Sequence, residues 1–596
     1  MHGRGKWCNL AAELVDSMGM SETEVRMLPY GISSFEELRA QGMYCVDKTK
    51  YISRMEQAGN FLFLIRPRRF GKSVFLSMLK CYYDMSRQDR FDALFDGLWV
   101  KDHPTPLRGQ YQVMHFDFSQ VRSDFDHLAE SFDSYCSIML EAFAQKNARY
   151  YDSDFLQQVR RLSPHSSSQL TYIANQAHMK GIKLYLIIDE YDNFTNNVLN
   201  EKGEAVYHAL THATGFYRDV FKQYKANFSR VLMMGVSPVT LDDLTSGYNV
   251  ALNITTLPQF NMMLGFSETE VRQMIDYYKD AGLIKSDPEE MLEEMRPWYD
   301  NYCFAEDSLE SDPKMFNCDM VVYYLKSYLL TGKPPKDMLD VNTRTDYKKL
   351  KRLMQLDGMG GEQRSIIQQV AAEGQIVASI KASFPAERIF DQDNFISLLY
   401  YYGMLTIVGT DLDSLVLGIP NNNVRKQYYE YLLTEYQLAT GISSRNLGNA
   451  FRAMASEGDY RPALDLILEA YRDTSSVRNG IEGERNLQGF LCAYFSMTPL
   501  YLIAPEMELN HGYCDIFLMP DRQRYPGVKH SYILELKYLS KNDGPQWAER
   551  QWDEAIGQVR TYAADRKVAL MTRDTTLHLL AMQVRGSELV RLEEVS

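Results

Sequence analysis

Several features that define other classes of protein are missing from this 596-residue chain. No apolar run approaches the ~18 residues that a membrane-spanning helix needs, so no membrane partner is expected. The first residues show no apolar core followed by a small-residue cleavage site, so secretion is not expected either. No repeat or low-complexity tract is visible. With 45% apolar and 24% charged residues, the composition predicts a folded, cytoplasmic protein.

The cysteines and the charge exclude further classes. The chain has eight cysteines that form no Cys-x-x-Cys pair, which favours reduced thiols over a disulfide framework or a zinc site. The net charge of −14 excludes non-specific coating of nucleic acid by bulk charge. Residues 476–596 are nearly neutral, so the acidity lies in the first three quarters and a local basic groove stays open.

One stretch resembles a phosphate-binding site. Phe61–Ile65 is a short apolar run that predicts a buried strand, and Val74–Tyr83 has the apolar spacing of a helix. Gly71-Lys72-Ser73 lies between them. A helix N-terminus with its free backbone N–H groups, together with a lysine, attracts phosphate. The sequence therefore predicts a nucleotide site here, in which Lys72 bridges the β- and γ-phosphates.

A second stretch supplies the acidic groups that such a site needs. The apolar run Lys183–Ile188 predicts a buried strand that ends in Asp189-Glu190. In phosphoryl transfer, one carboxylate holds Mg²⁺ and another group orients the attacking water. We assign these roles to Asp189 and Glu190, and we expect Ser73 to be the other metal ligand. The alternative for Asp189-Glu190 is a solvated strand edge.

The loop between the first strand and helix has an unusual composition. Arg66 stands where the first glycine of a phosphate loop is usual, and arginine poorly tolerates a left-handed backbone. Its arginines would add positive charge near phosphates, or would face solvent or acidic neighbours instead. We expect the whole loop to bind nucleotide: Arg66, Pro67, Arg68, Arg69, Phe70, Gly71, Lys72 and Ser73.

Further segments complete a predicted parallel α/β sheet. Residues 113–118 and 230–236 are strand candidates, and strands that alternate with helices favour a parallel sheet. Ser237 follows the latter strand, where it would sense the γ-phosphate or serve only as a structural serine. The polar leader 29–50 would contact the adenine or pack as a loop on the core.

The middle of the chain reads as mainly helical. Ser267 and Glu270 predict a capping box at a helix start. A helix over 393–402 and strands 404–408 and 415–419 resemble a winged helix. Such units bind DNA or serve as a lid or packing module, and the acidity of the chain favours packing.

The C-terminal part carries a second candidate site. We predict a helix over 482–495, strands over 501–509, 513–519 and 531–538, a helix over 546–562 and a strand over 567–571. Alternation puts Glu535 and Lys537 on one face of their strand, and a hairpin brings Asp515 near them. Two carboxylates and a lysine support metal-assisted phosphodiester hydrolysis. Glu484 would complete the Mg²⁺ shell.

Two residues on the last predicted helix would brace this site. Gln558 and Tyr562 lie four residues apart and share one helix face. An Asp…Glu-x-Lys pattern is common by chance, so a fold retained only for binding or scaffolding is the alternative to a nuclease.

The quoted motifs resemble those of known families. The segments RPRRFGKS, LIIDEYD, GVSPV, LTSGYN and GFSETEV look like the predicted AAA-ATPase-like family of bacteria and some archaea, over about 29–270. Further matches are WYDNYCF, LLYYYGMLTI and IPNNNVR. In that family Arg is usual in place of the first Gly, so the resemblance implies that Arg66 belongs to an intact loop. Many members carry a C-terminal nuclease-like domain. AAA-type ATPases commonly complete their sites across subunits, so the resemblance allows a homo-oligomer.

The predicted C-terminal element order resembles the PD-(D/E)XK nuclease superfamily over about 482–571. Related domains often carry Gly-Arg-x-Asp, whereas here Gly512-Tyr513-Cys514-Asp515 lacks the arginine, so its phosphate contact is missing.

The expected architecture is α/β, with a P-loop NTPase (AAA-like) parallel sheet, a helical and winged-helix-like middle, and a restriction-endonuclease-like α/β domain. The expected parts are a lead-in (1–28), the ATPase domain (29–265), the lid and winged-helix-like region (266–425), a helical linker (426–475) and the nuclease-like domain (476–596). The expected function is an ATPase that controls a Mg²⁺-dependent nuclease acting on DNA or RNA. The alternative is a nucleotide-dependent switch or scaffold that cleaves nothing.

Overall fold

The structure, a computed structural model, describes residues 25–121, 127–193, 227–239, 251–311, 314–340, 361–385, 388–437, 443–477, 483–540 and 542–596. Some of the sequence predictions lie wholly or partly outside these residues. They are the lead-in (1–28), of which only residues 25–28 are described, the LTSGYN motif, and residues 341–360 of the mainly helical middle.

The first part of the chain forms the predicted parallel sheet. Its strands are β1 (Phe61–Ile65), β2 (Tyr111–Asp117), β3 (Lys183–Asp189), β4 (Arg230–Gly235) and β5 (Leu252–Asn253). They lie in the order β2-β3-β4-β1-β5, and every neighbouring pair is parallel. Strands β1, β3 and β4 are almost entirely buried, as continuous apolar runs in a parallel sheet require. The sequence missed β5, which has only two residues.

Helices and short turns cover this sheet. The α-helices are α1 (Phe35–Ala40), α2 (Tyr51–Ala58), α3 (Lys72–Tyr83), α4 (Phe91–Phe95), α5 (Trp99–Asp102), α6 (Leu128–Asn147), α7 (Phe155–Arg161) and α8 (Ser166–Met179). The 3-10 turns are Met85–Arg90, Phe118–Gln120, Ala148–Tyr150 and Pro258–Phe260. Helix α3 begins two residues before the predicted start, so Lys72 and Ser73 lie in its first turn.

A helical unit with its own apolar core follows. It contains α9 (Glu268–Asp280), α10 (Pro288–Tyr299) and α11 (Cys318–Thr331), with a two-stranded sheet of β6 (Phe266–Ser267) and β7 (Met315–Phe316) and a 3-10 turn at Glu306–Ser311. The predicted capping box at the start of α9 is confirmed, because the Glu270 N–H donates to Ser267 Oγ at 3.3 Å and the Ser267 N–H donates to the Glu270 carboxylate at 2.8 Å.

The next unit holds the predicted hairpin. Its elements are α12 (Gly361–Glu373), β8 (Gln375–Ala378), α13 (Gln392–Tyr401), β9 (Thr406–Asp411), β10 (Ser414–Gly418) and α14 (Asn422–Gln437). The hairpin strands begin and end within about three residues of the predicted limits. The sequence missed β8, which makes an antiparallel sheet of order β8-β10-β9.

The last part contains α15 (Ser444–Glu457), α16 (Arg461–Val477), α17 (Glu484–Phe495), β11 (Tyr501–Leu509), β12 (Gly512–Pro520), β13 (His530–Leu539), α18 (Pro545–Ala563), α19 (Arg566–Met571), β14 (Thr576–Arg585) and β15 (Glu588–Glu594). The five strands form a mixed sheet in chain order, in which only β13 and β14 pair in parallel.

The predicted strand over 567–571 is wrong. Residues 566–571 form helix α19, because the Asp565 carboxylate caps this segment by accepting the Lys567 N–H at 2.7 Å. The strand at this place in the order is β14, five residues further along the chain, and β15 was missed.

One continuous buried apolar core runs from the parallel sheet through the hairpin unit to helix α17 and part of the mixed sheet. Helices α9 to α11 have a separate core, and so do helix α18 and the strand residues that pack against it. Among the described helices, none is both long and apolar enough to cross a membrane. The domain boundaries drawn from the sequence remain predictions.

Candidate active sites

The first site is built where β1 passes into α3. Gly71 is the N-cap of α3 and has a φ of 83°, a left-handed conformation that glycine adopts without strain. Lys72 is buried, and its Nζ donates to the carbonyls of Arg66 and Pro67, each at 2.9 Å. Burial lowers the pKa of Lys72, although Glu190 and Asp189 oppose that effect. The loop thus curls around the lysine at the N-terminus of a helix.

The acidic pair at the end of β3 reaches this loop. Strand β4 lies between β1 and β3, yet all three end at the same sheet edge. Ser73 Oγ donates to Asp189 Oδ2 at 2.8 Å. Burial raises the pKa of Asp189, while Lys72 and Ser73 lower it. The structure therefore brings the predicted metal ligands Ser73 and Asp189 together.

Glu190 follows in a strained backbone conformation. Its φ is 49°, which is uncommon for a residue with a side chain. Its carboxylate lies 4.0 Å from Arg68 Nη2, and both residues line the same cavity. Arg68 therefore takes the position beside an acidic neighbour that the sequence left as an alternative.

Arg66 points into the core and not toward the cavity over the phosphate loop, which corrects the expectation that its charge lies near phosphates. Its side chain is fully buried, and its guanidinium donates to the carbonyls of Ile65 at 2.9 Å, Thr255 at 2.7 Å and Phe260 at 3.0 Å. It also stacks over the Phe304 ring at 4.3 Å. Burial lowers the pKa of Arg66 to about 10, so the group stays charged at neutral pH.

The next two residues of the loop attach to the helical unit. Arg69, with a φ of 69°, pairs with Asp319 at 3.4 Å, and its carbonyl accepts the Cys318 thiol at 3.1 Å. The Phe70 ring packs edge-on against Tyr302, with centroids 4.9 Å apart. The loop is therefore held from the α11 side as well as by its own sheet.

Ser237 lies beside the site but not in its wall. It is fully buried, accepts the Val239 N–H at 3.3 Å and is hydrogen-bonded to Tyr402. Its carbonyl accepts the Tyr191 hydroxyl. This placement favours the structural alternative for Ser237 over contact with the γ-phosphate. Pro67 also lies outside the cavity wall.

A cavity of about 620 Å³ opens over the phosphate loop. Its wall combines the leader, the loop and Glu190 with Asn193, residues 263–266 and the first turn of α11. Of these additional residues, the sequence had drawn attention only to Gly265 and Phe266, which begin the GFSETEV motif. The leader residues that face it are Pro29, Gly31, Ile32, Ser33, Phe35, Leu38, Tyr44, Cys45, Val46, Asp47, Lys48 and Thr49. The volume falls within the usual range of small-molecule sites.

The second site lies in the middle of the mixed sheet. Pairing of Ile516 with Leu534 puts Asp515 next to Glu535. Asp515 Oδ2 accepts the Leu536 N–H at 2.6 Å, and Lys537 Nζ donates to Glu535 Oε1 at 2.9 Å. The structure thus brings the three predicted residues together.

The electrostatics of this pair suit a cation. Burial and the neighbouring Glu535 carboxylate raise the pKa of Asp515 well above its usual value. Burial also raises the pKa of Glu535, although Lys537 lowers it. Burial pulls the pKa of Lys537 down, but Glu535 outweighs it and the pKa ends raised. Glu535 Oε2 is buried and has no hydrogen-bond partner among the residues that the structure describes, and hard divalent cations prefer such oxygens. The residues therefore fit Mg²⁺.

The rest of the predicted metal shell is less complete. Glu484 opens α17, and its Oε2 accepts the Tyr538 N–H at 3.2 Å. The described residues contain no group of three His, Cys, Asp or Glu side chains placed to hold a metal. Gln488, which the sequence did not indicate, donates to both the Asp515 carbonyl and Glu506, each at 2.8 Å. Only its position one helical turn after Glu484 would have pointed to it.

Of the two α18 residues predicted to brace this site, Gln558 and Tyr562, only Tyr562 makes a described contact that does so. The Tyr562 hydroxyl donates to the Tyr513 carbonyl at 2.9 Å, two residues before Asp515. Gln558 Oε1 is buried and accepts no hydrogen bond from any described residue, so no bracing contact of that oxygen is seen.

Comparison with known proteins agrees with this geometry. Residues 29–245 match the family model described as predicted AAA-ATPase, and residues 482–594 match that of the PD-(D/E)XK nuclease superfamily. The chain carries a predicted AAA-ATPase domain and a PD-(D/E)XK nuclease-superfamily domain. The resemblance drawn from the motifs is thereby confirmed, as is the α/β fold class of both domains.

Two individual proteins are also similar. A curated relative from Azotobacter chroococcum mcd 1, described as an uncharacterized protein in the vnfD 5′ region, is 26% identical over 282 residues. These make up 46% of this chain and 48% of the relative, so the chain spans about half the relative's length. A solved structure of the Aeropyrum pernix ORC2 protein, in ADPNP and ADP complexes, is similar over 67% of this chain and 94% of that one. It has 10% identity and a TM-score of 0.23.

Proposed function

We propose that the AAA-ATPase domain binds and hydrolyses ATP, and that it controls a Mg²⁺-dependent nuclease-like domain that acts on DNA or RNA in the cytoplasm. The observation that carries the ATP assignment is the 2.8 Å contact between Ser73 and Asp189 beside the buried Lys72. A chance Gly-Lys-Ser match gives no reason for its serine to meet a strand-end carboxylate, whereas a Mg²⁺ site in phosphoryl transfer does.

Each residue of the first site has a role in this proposal. The N–H groups at the start of α3 bind phosphate oxygens. Lys72 Nζ also binds them, and to do so it leaves the Arg66 and Pro67 carbonyls to which it donates in this structure. Ser73 and Asp189 would hold Mg²⁺, which neutralises charge on the phosphates when bound. Glu190 orients the attacking water, and Arg68 fixes the Glu190 carboxylate.

In the second site the two carboxylates and the lysine have different roles. Asp515 and Glu535 would hold Mg²⁺, which polarises the phosphodiester when bound. Lys537 donates to Glu535 and is placed on the same strand face, where it orients a water or stabilises charge on the scissile phosphate. Gln488 and Tyr562 fix the backbone around Asp515.

A packed connection between the two sites supports control of one by the other. Pro67 of the phosphate loop lies against Gly403, where an added Cβ would be 2.8 Å from the proline ring. Tyr402, the residue before it, is hydrogen-bonded to Ser237. Helices α12 and α14 of the same unit pack on α17, which carries Glu484 and Gln488. A shift of the phosphate loop would therefore be felt through packed elements at the second site.

Rates of ATP turnover test the first half of the proposal. Lys72→Ala and Glu190→Gln should each lower turnover by at least 100-fold, since positioning and water orientation supply much of such catalysis. Lys183→Ala, an exposed lysine at the opposite end of β3, is the matched control and should keep the wild-type rate. Wild-type turnover in both site variants would refute the ATPase assignment.

Cleavage of DNA and RNA with Mg²⁺ or Mn²⁺, with and without ATP, tests the second half. Glu535→Ala and Lys537→Ala should abolish cleavage, and Glu508→Ala, an exposed carboxylate of the same sheet, should not. Cleavage that responds to ATP, and loses that response in Lys72→Ala, would support control by the nucleotide site.

The second candidate is a nucleotide-dependent switch or scaffold that cuts no nucleic acid. It is favoured by the absence of a three-ligand metal group among the described residues, by the backbone contact that occupies Glu484, and by the missing arginine before Asp515. No cleavage by the wild-type protein under any of the above conditions would favour this candidate. We also propose that the chain forms a homo-oligomer, in which a neighbouring copy completes the ATP site.

A further inference from the structure

A second cavity lies where three parts of the chain meet, away from both candidate sites. This junction cavity has a volume of about 330 Å³. Its walls come from the end of α10 with residues 336–338, from helix α14, and from the segments 496–503 and 521–525 of the C-terminal part. None of its wall residues belongs to the phosphate loop or to the Asp515 site.

The charges in this wall do not balance. Arg524 is paired with Asp521 at 2.5 Å, and both side chains are buried. Lys336 and Asp337 are exposed at the rim. Arg425 and Lys426, which are neighbours on α14, form no ion pair with any residue that the structure describes. The wall therefore presents two uncompensated positive charges.

Three wall residues also carry a buried polar atom that has no hydrogen-bond partner within the described part of the chain. These atoms are Arg425 Nη1, Arg524 Nε and the Tyr501 hydroxyl oxygen. Unpaired buried polar groups are rare in folded proteins, because a group that loses its water without gaining a partner destabilises the fold. The two arginine nitrogens can only donate, and a tyrosine hydroxyl can donate as well. The ligand that would satisfy these atoms is therefore rich in acceptors and negatively charged.

Aromatic side chains form another part of the cavity wall. Trp298, over whose ring Arg524 stacks at 4.6 Å, and Tyr525 both line it. Flat rings beside arginine and lysine suit a base joined to a phosphate. The volume of the cavity is at the small end of the range for ligand pockets, which suits a single nucleotide.

We propose that the junction cavity binds a phosphate monoester of mononucleotide size, separately from the ATP site. Arg425 and Lys426 bind the phosphate, the Tyr501 hydroxyl donates to it, and the aromatic wall holds the base. Because the ligand touches the end of α10, helix α14 and the C-terminal part at once, its binding ties these three together. This proposal does not depend on ATP hydrolysis or on cleavage of nucleic acid.

Calorimetric titration of the full-length chain with uridine 5′-monophosphate tests the proposal. The Lys72→Ala background weakens binding at the phosphate loop, and parallel titrations with uridine and with inorganic phosphate separate the base from the phosphate. We expect saturable binding of one uridine monophosphate per chain, weaker binding of phosphate, and none of uridine. Absence of saturable binding of uridine monophosphate overturns the proposal.

Three variants in that background locate the ligand. The double change Arg425→Ala with Lys426→Ala should weaken binding by about tenfold or more, because charge-assisted hydrogen bonds are lost. Tyr501→Phe should weaken it about fivefold and should not lower the melting temperature, since it removes only an unpaired hydroxyl. Lys333→Ala, an exposed lysine nearby that does not line the cavity, should bind like its parent. Unchanged affinity in both cavity variants would place the ligand elsewhere and refute the assignment.

Discussion

Replacing Arg66 by glycine tests what the unusual phosphate loop is for. If the arginine merely replaced a glycine, Arg66→Gly would leave stability unchanged and would improve nucleotide binding. The structure predicts the opposite, because the guanidinium joins β1 to the segment 255–260 through the Thr255 and Phe260 carbonyls and stacks on Phe304. Its removal leaves these two carbonyls without their donor and opens a space in the core.

The expected loss can be worked out roughly. A hydrogen bond to a charged group contributes about 1.5–3 kcal/mol, and a desolvated cation–π contact about 2 kcal/mol. The cost of burying the charge offsets much of this sum, and it is seen in the lowered pKa of Arg66. Leaving each of these two carbonyls unpaired in the core costs about 1–3 kcal/mol, so the expected net loss is about 2–6 kcal/mol. For a domain of this size that corresponds to a melting temperature lower by roughly 10 °C.

The measurement is thermal unfolding of the full-length chain by calorimetry, together with ATP binding. Arg66→Lys keeps the charge but not the planar group that spans both carbonyls, so it should fall between wild type and Arg66→Gly. Arg66→Met fills the space without donors and should be less stable than Arg66→Lys. If Arg66→Gly has the same melting temperature as the wild type and binds ATP more tightly, the structural role of the arginine is refuted.

The remaining predictions concern the second site and the connection between the sites. Asp515→Asn should raise the free energy of unfolding at pH 8 by about 1–3 kcal/mol, because it removes one of two adjacent buried carboxylates. The pKa of wild-type Asp515 is raised in the folded state, so the ionised carboxylate destabilises the wild type only as pH rises above the unfolded-state pKa near 4. The variant and the wild type should therefore be equally stable at pH 4. A gain in stability that is independent of pH would contradict this reasoning. Gly403→Ala should lower both ATP affinity and turnover, since its Cβ would be 2.8 Å from Pro67, while Gly282→Ala, with the same φ of 75° but nothing within 4 Å, controls for backbone strain. Equal ATP affinity in the two glycine variants would show that the contact with the phosphate loop does not matter.

The sequence predicted the parts of the fold that rest on local pattern. Continuous apolar runs such as Phe61–Ile65 and Lys183–Ile188 are fixed by burial on both faces of a parallel sheet, and both strands are where the runs predict them. The capping box at Ser267 is another local signal, and it too is confirmed. The proximity of Ser73 and Asp189 was expected because both were assigned as ligands of one Mg²⁺, and the parallel sheet provides it because its strands end at the same edge.

The secondary-structure predictions were wrong or incomplete where helix capping or pairing with a distant strand determines the structure of a segment. Residues 567–571 are apolar enough for a strand, but the Asp565 cap starts a helix, and the strand forms at β14 instead. Strands β5 and β8 have only two and four residues, and they exist because a neighbouring strand supplies their hydrogen bonds. No periodicity in such short segments could have indicated them.

Arg66 shows why the site itself was only partly predictable. The sequence places a charge in a loop but does not say which way its side chain turns, and three arginines in four residues suggest a loop filled with positive charge. In the structure the three separate: Arg66 enters the core, Arg68 approaches Glu190, and Arg69 pairs with Asp319 on α11. Each therefore ties the loop to a different part of the protein. A glycine-rich loop offers phosphate its backbone alone, whereas the side chains of this loop also contact the core, the Glu190 carboxylate and the helical unit. That arrangement is what a site needs if its occupancy is to be felt at a distance.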